Sequence, residues 1–192
     1  GFLIDGGKGK SDDLPQITVR HNFPDNWRIV LLINQREKGL HGKKEFNAFK
    51  TLKPFPINKA EKLCHLVNMV ILPSIVEKNF RDFACGIGTL QQIVGTHFAP
   101  IQGGVYSNPD IARIMNFVEN KGFTGIGQSS WGPTGFILTD SDTSAHNLVR
   151  EIRSNFLCKD LTIDIIKGRN TGSVFKSNYK KNEIKQINKK SN

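Results

Sequence analysis

Two adjacent hydroxyls, Ser129 and Ser130, follow Gln128 in the stretch GFTGIGQSSWGPTGFILTD, Gly122 to Asp140, between two short apolar runs. Gly125 and Gly127 just before them permit close backbone approach and positive φ. Trp131, Gly132, Pro133 and Thr134 complete the loop, with the proline fixing one dihedral. Successive backbone N–H groups in such a loop can form an anion-binding nest, and two hydroxyls add donors for phosphate oxygens. The competing reading is a plain bend that packs Trp131 on the core, since glycine-rich patterns alone are weak evidence. No Gly-Lys-Ser/Thr follows, so this is not a Walker loop.

Two further segments carry polar groups where a ligand would meet them. In THFAPIQGGVYSNP, Thr96 to Pro109, the residues Gln102, Gly103 and Gly104 fall between two helical patterns and offer a side-chain amide and open backbone, or else an ordinary interhelical turn. In GLHGKKEFNAF, Gly39 to Phe49, a helix start carries Lys43, Lys44 and Glu45 behind His41. That arrangement suits an anion, with Glu45 or His41 as a proton carrier, or a solvated charged face. GFILTDSDTSA, Gly135 to Ala145, is loosely similar to the phosphoribosyl-diphosphate loop of ordinary phosphoribosyltransferases. Its acids are not adjacent and no Thr-Gly-Gly follows, so a helix cap at Asp142 or Thr143 accounts for it better.

The elements that must position these groups are legible from periodicity. Residues 1–7 and 17–23 read as two strands joined by a polar loop, a pair marginal by itself. RIVLLIN, Arg28 to Asn34, suits a strand covered on both faces. Asn58 with Glu61 has the form of a capping box ahead of Leu63, Leu66, Val67 and Val70, and Pro73 should break or kink that helix. From Asn79 a second stripe runs through Phe80, Phe83, Ala84, Ile87 and Val94, in which Gly86 and Gly88 point to a closely approaching neighbour. Asn108, Pro109 and Asp110 start a helix that Gly122 stops. Strands near 123–127 and 134–139 flank the opening loop, a helix begins after Asp142 or Thr143, and strands follow at 161–167 and 173–175. From Arg28 the order is strand, helices, strand, strand, helix, strand: an α+β, ferredoxin-like split βαβ with an extra helical block in its first crossover. The hydroxyl-bearing loop is then the tip of the central hairpin.

Bulk properties narrow the function. The net charge is +10 over 192 residues. Half of it lies in residues 176–192, with six lysines and one glutamate, which reads as a solvated, frayed tail. The remaining +5 is moderate for a domain that handles phosphorylated or acidic small molecules, and the absence of interleaved aromatics argues against specific nucleic-acid binding. No apolar run reaches the roughly 20 residues a membrane span needs. Cys64, Cys85 and Cys158 are odd in number and lack CxxC spacing, which implies buried or inert thiols in a reducing cytoplasm and no zinc site.

Taken together, FPDNWRIVLLI (Phe23 to Ile33), GLHGKKEFNAF, FAPIQGGVYSNP (Phe98 to Pro109) and GIGQSSWGPTGFIL (Gly125 to Leu138) resemble the β-ribofuranosylaminobenzene 5′-phosphate synthases, a branch of the GHMP kinase superfamily. The likeness runs in order from Gly1 to about Phe175. It implies joining phosphoribosyl diphosphate to a 4-aminobenzoate-type acid with loss of carbon dioxide and pyrophosphate, with Mg²⁺, in methanopterin biosynthesis; no flavin, NAD or zinc is expected. By the same resemblance, Gly125, Gly127, Gln128, Ser129, Ser130, Trp131, Gly132, Pro133 and Thr134 form the phosphate- and substrate-facing loop, with Gln102, Gly103 and Gly104 in the same cleft. The family's N-terminal half has no counterpart, so residues 1–26 read as a remnant of that domain, 27–176 as the C-terminal domain and 177–192 as a basic tail. The strand pair, cut off from its sheet, is expected to pair in a homodimer. A GHMP-type kinase that uses the same loop around ATP is the alternative, and a basic binding module with the tail as its arm is a second.

Overall fold

A computed structural model describes residues 1–7, 14–36, 39, 42–157 and 159–172, without the side chains of Lys43 and Lys44. The expected strand at 173–175, the tail, most of the 8–16 loop, His41 and Cys158 lie outside the described residues.

Strand β3, Arg28–Asn34, is the centre of the architecture. Its residues alternate between buried and half-buried because both faces are covered, which is why it reads as one apolar run. It pairs antiparallel with β5, Gly135–Thr139, on one side and with β6, Leu161–Ile166, on the other; β4, Ile126–Gln128, pairs antiparallel with β5. The resulting order β4-β5-β3-β6 is that of the split βαβ arrangement.

One face of this sheet, with Val30, Leu32 and Ile137, packs on the helices α5 (Pro109–Asn120) and α6 (Asp142–Asn155). The other face, with Ile29, Phe136 and Leu138, packs on the helical block of the first crossover. That block comprises α1 (Lys43–Thr51), α2 (Ile57–Leu66), α3 (Leu72–Glu77) and α4 (Phe80–Gln102). Pro73 cannot donate a backbone hydrogen bond. The expected break does not occur: a π-helical turn, Val67–Ile71, runs directly into α3, Leu72–Glu77, so the chain stays helical through the proline.

Asn108 caps its helix as expected, and Asn79 caps α4 in the same way, each asparagine side chain accepting a backbone N–H from the first turn. Two expectations fail. Ser141, not Asp142 or Thr143, caps α6, its Oγ accepting from Ser144 N at 3.2 Å. The Asn58 capping box does not form: α2 starts two residues earlier behind Pro56, whose carbonyl accepts from Lys59 and Ala60. The thiols of Cys64 and Cys85 are exposed and not buried.

Strands β1, Phe2–Asp5, and β2, Ile17–His21, form a separate antiparallel ribbon. Phe2 docks it by an edge-to-face contact with Phe83 at 5.7 Å. Asn170 ties the following turn down, accepting from Phe23 N at 2.8 Å and donating to Phe23 O at 3.0 Å.

Candidate functional site

Three glycines let the long helix α4 lie against the hairpin. A Cβ on Gly88 would fall 1.9 Å from Thr124 O, and one on Gly127 would fall 2.4 Å from Cγ of Gln91. Gly125 is filled in the same way by Ala84 and Leu138. The close approach that Gly125 and Gly127 permit is therefore taken up by the protein's own helix.

With α4 this near, Gln91 Oε1 accepts the backbone N–H of Gln128 at 3.0 Å. Gln128 in turn braces two loops. Its Oε1 accepts from Ser107 N at 2.7 Å, and its Nε2 donates to Gln102 Oε1 at 3.2 Å and to Ser130 O at 3.1 Å. Gln102 Nε2 donates to Gly104 O and Val105 O, both at 2.9 Å. Gln102 and Gln128 thus form a continuous amide relay that fixes the 102–107 segment against the hairpin tip. Gly103, at φ 88°, ends α4 in the left-handed conformation and is exposed.

The tip itself is a compact turn. Ser129 N donates to Thr134 O and Gly132 N to Ser129 O, both at 2.9 Å. Ser130 and Gly132 have φ of 52° and 70°, and the Gly132–Pro133 peptide is cis. Ser129 and Ser130 are exposed, and among the described residues neither hydroxyl makes a hydrogen bond. A Cβ on Gly39 would fall 2.0 Å from Gly132 O, so Gly39 sits directly beside the tip.

Trp131 turns inward from the tip. Its indole N–H donates to Glu45 Oε1 at 3.0 Å, and its ring meets Phe98 at 4.8 Å and Phe49 at 5.4 Å, both edge-to-face. Beside them lies a cavity of about 250 Å³ lined by Glu45, Phe49, Phe98, Gln102, Ser130 and Trp131 among others. Five residues read from the sequence as site candidates, Glu45, Gln102, Gln128, Ser130 and Trp131, line this one cavity. Gly103, Gly104, Gly125 and Gly127 do not.

The sequence reading missed Gln91, Val94, Gly95 and Phe98, which also line it. Their spacing on α4, continued by Gln102, is that of one helical face. A polar residue recurring on that otherwise apolar stripe was the available signal. Phe49 and Ser107 were missed because each acts through a partner distant in the chain.

Glu45 is the only carboxylate among the described lining residues, and no group of three or more His, Cys, Asp or Glu among the described residues could hold a metal. Such a donor set fits Mg²⁺ held chiefly by substrate oxygens and not by a protein cage.

A protein-family model, GHMP kinases C terminal, matches residues 71–157. The β-ribofuranosylphenol 5′-phosphate synthase of Methanocaldococcus jannaschii is 36% identical over 157 residues, covering 73% of this chain and 45% of that protein. The synthase of the same name from Archaeoglobus fulgidus is 30% identical over 188 residues, covering 90% of this chain and 55% of that protein. The chain belongs to this synthase family and corresponds to its C-terminal part. It spans about half the length of the curated relatives it matches. A solved mevalonate diphosphate decarboxylase from Staphylococcus aureus shares the fold, with a TM-score of 0.54 at 14% identity over 83% of this chain and 52% of that one. The matched family model takes in Gln91, Phe98, Gln102 and the whole hairpin, while Glu45 and Phe49 precede it. The relatives' name has a phenol where the sequence resemblance implied an aminobenzene. No helix among the described residues is long and apolar enough to cross a membrane.

Proposed function

We propose that the protein of which this chain forms the C-terminal part condenses phosphoribosyl diphosphate with a benzoic acid bearing a para hydroxyl or amino group, releasing carbon dioxide and pyrophosphate. The observation that carries the reading is the hairpin tip: two free, exposed hydroxyls, one of them on Ser130, which the Gln128 relay holds in the lining of a cavity that contains a carboxylate and three aromatic rings, the other on Ser129 next to it. Ser129, Ser130 and the backbone of the tip bind phosphate oxygens by charge-assisted hydrogen bonds. Thr134 shapes the tip from its far side through its carbonyl.

The chemistry explains why both features belong together. A ring carbon forms a bond to C1 of the ribosyl group as the C1–O bond to pyrophosphate breaks; the ring-to-carboxylate bond then breaks and its electron pair restores the aromatic ring. Positive charge develops on the sugar, so fixed donors aimed at the leaving group lower the barrier. Mg²⁺ supplies added charge neutralisation at the diphosphate when bound. Glu45 also serves as acceptor for a proton from the para substituent. This chain pairs as a homodimer through the edges of the β1–β2 ribbon.

The test uses carboxyl-labelled 4-hydroxybenzoate and phosphoribosyl diphosphate with the full-length protein. Release of labelled carbon dioxide with equimolar pyrophosphate is expected. ADP formation from ATP with no pyrophosphate would replace this reading with a kinase. For the present chain, Ser129→Ala/Ser130→Ala is expected to weaken pyrophosphate binding about tenfold or more, and an unchanged affinity would remove the phosphate role from the tip.

A further inference from the structure

We propose that the cavity between α1, α4 and the hairpin tip is the pocket for the acceptor's benzene ring, and that phosphate stays outside it on the Ser129 and Ser130 side. The inference rests on the synthase reading for the kind of acid that enters. The cavity observations themselves are independent of it.

Size is the first argument. At about 250 Å³ the cavity is below the range of drug-sized sites, roughly 300–1,000 Å³, and above the ~150 Å³ apolar cavity that suffices for benzene. It suits one ring with small substituents. The walls are the second. Phe49, Phe98 and Trp131 form a triad in which every pair meets edge-to-face, with centroids 4.8 to 6.2 Å apart. An inserted ring would find both ring faces and ring edges there, the pairing that aromatic quadrupoles favour.

The polar atoms give the third argument, and they set direction. Glu45 Oε1 is occupied by the Trp131 indole, which leaves Oε2 as an acceptor. Gln91 must present Oε1 to the backbone N–H of Gln128, because an N–H can only donate; its Nε2 therefore faces elsewhere and has no acceptor among the described residues. No polar side-chain atom among the described residues is both buried and unpartnered, so both atoms are accessible. One free acceptor and one free donor in an aromatic-walled cavity match a ring with a hydroxyl or amino group at one end and a carboxylate at the other. A phosphate inside would meet the Glu45 carboxylate and three hydrocarbon rings.

The experiment is a titration of the full 192-residue chain followed by the indole N–H signals in nitrogen–proton correlation spectra. Trp27, 2% exposed in the other core, is the internal control. 4-Hydroxybenzoate and 4-aminobenzoate are expected to shift the Trp131 signal saturably and leave Trp27 unmoved. Benzoate is expected to bind about tenfold more weakly for want of the para donor, and cyclohexanecarboxylate not measurably. Phe49→Leu, at a half-exposed position whose loss leaves the core intact, is expected to weaken 4-hydroxybenzoate about fivefold; Glu45→Gln is expected to abolish the preference over benzoate. A Trp131 signal indifferent to millimolar 4-hydroxybenzoate, or equal shifts with cyclohexanecarboxylate, would overturn the assignment. Pyrophosphate provides the separate arm: if it moves the Ser129 and Ser130 amides while the aromatic acids move nothing, the ring pocket fails and the phosphate role of the tip stands. If the acids bind and pyrophosphate does not, the reverse holds.

Discussion

Glu45, at the start of α1, accepts the indole N–H of Trp131, 86 residues later in the chain, at 3.0 Å. This bond is what holds α1 against the hairpin tip, since the aromatic contacts of Phe49 with Trp131 and Phe98 follow from the same placement. Removing the acceptor with Glu45→Ala strands a donor on a tryptophan that is 6% exposed. The expected cost is about 1–2 kcal/mol. Glu45→Gln keeps an acceptor oxygen and should recover most of it. Urea denaturation followed by circular dichroism checks both, and equal losses in the two variants would show that charge and not the hydrogen bond matters.

Gln128 occupies the junction of the relay, so its replacement tests positioning separately from contact. Gln128→Met preserves approximate volume but leaves Ser107 N, Gln102 Oε1 and Ser130 O without their partner. A loss of about 2–3 kcal/mol is expected from the stranded groups, along with pyrophosphate affinity reduced at least as far as by the serine changes. Ser129→Ala, by contrast, touches an exposed hydroxyl and should leave the unfolding midpoint within about 0.5 kcal/mol of the parent.

The same contrast explains what was legible in the sequence. The order of strands and helices followed from period and from local signals such as Asn79, Asn108 and Gly122, because those act within one turn of chain. Glu45, Gln102, Gln128, Ser130 and Trp131 also stood out by residue type, and they line one cavity. What the residues do to one another was not visible. Gln102 and Gln128 read as groups offered to a ligand, yet Gln128 braces the backbone at Ser107 and Gln102 is taken up by its own loop and by Gln128. Gly125 and Gly127 read as open backbone, yet Ala84, Gln91, Phe136 and Leu138 occupy their space. Both facts depend on the close docking of α4, which is a tertiary relationship. The caps at Pro56 and Ser141 were missed for a smaller reason: competing cap residues lay one or two positions away, and terminal positions are the least specified part of a helix.

Docking of α4 should be strongly sensitive at Gly88. An alanine Cβ there would overlap the backbone carbonyl of Thr124, which cannot rotate away. Gly88→Ala is expected to cost roughly 3 kcal/mol as helix and hairpin separate. Gly103→Ala meets open space and only the left-handed φ of 88°, so about 1 kcal/mol is expected. Thermal or urea unfolding of the pair tests the distinction, and similar costs would mean that α4 can shift freely along β4.

Tyr106 makes an alkaline prediction. Burial, with a smaller contribution from Glu119, pushes its phenol up to about 12. The folded value lies above the ordinary 10, so the stabilisation tied to the neutral phenol is complete below pH 10 and is lost as pH rises toward 12. Tyrosinate absorbance should therefore include a late phase toward pH 12 that is absent in Tyr106→Phe. Across that window the variant should lose less stability than the parent. Complete ionisation by about pH 10 in the folded parent would contradict the partly buried placement.

The β1–β2 ribbon predicts assembly. It has two strands, stands apart from the four-stranded sheet, and leaves its outer backbone edges unpaired among the described residues. Its docking face is fixed by Phe2, while Leu3, opposite Arg20 on the other face, is 53% exposed. An unpaired edge beside an exposed apolar side chain favours addition of another strand. Light scattering is expected to give twice the 21.5 kDa chain mass, and Leu3→Lys to shift the population toward monomer by placing a charge on that surface. A parent protein that is monomeric with protected amides in β1 and β2 would show that docking through Phe2 and Phe23 suffices to hold the ribbon.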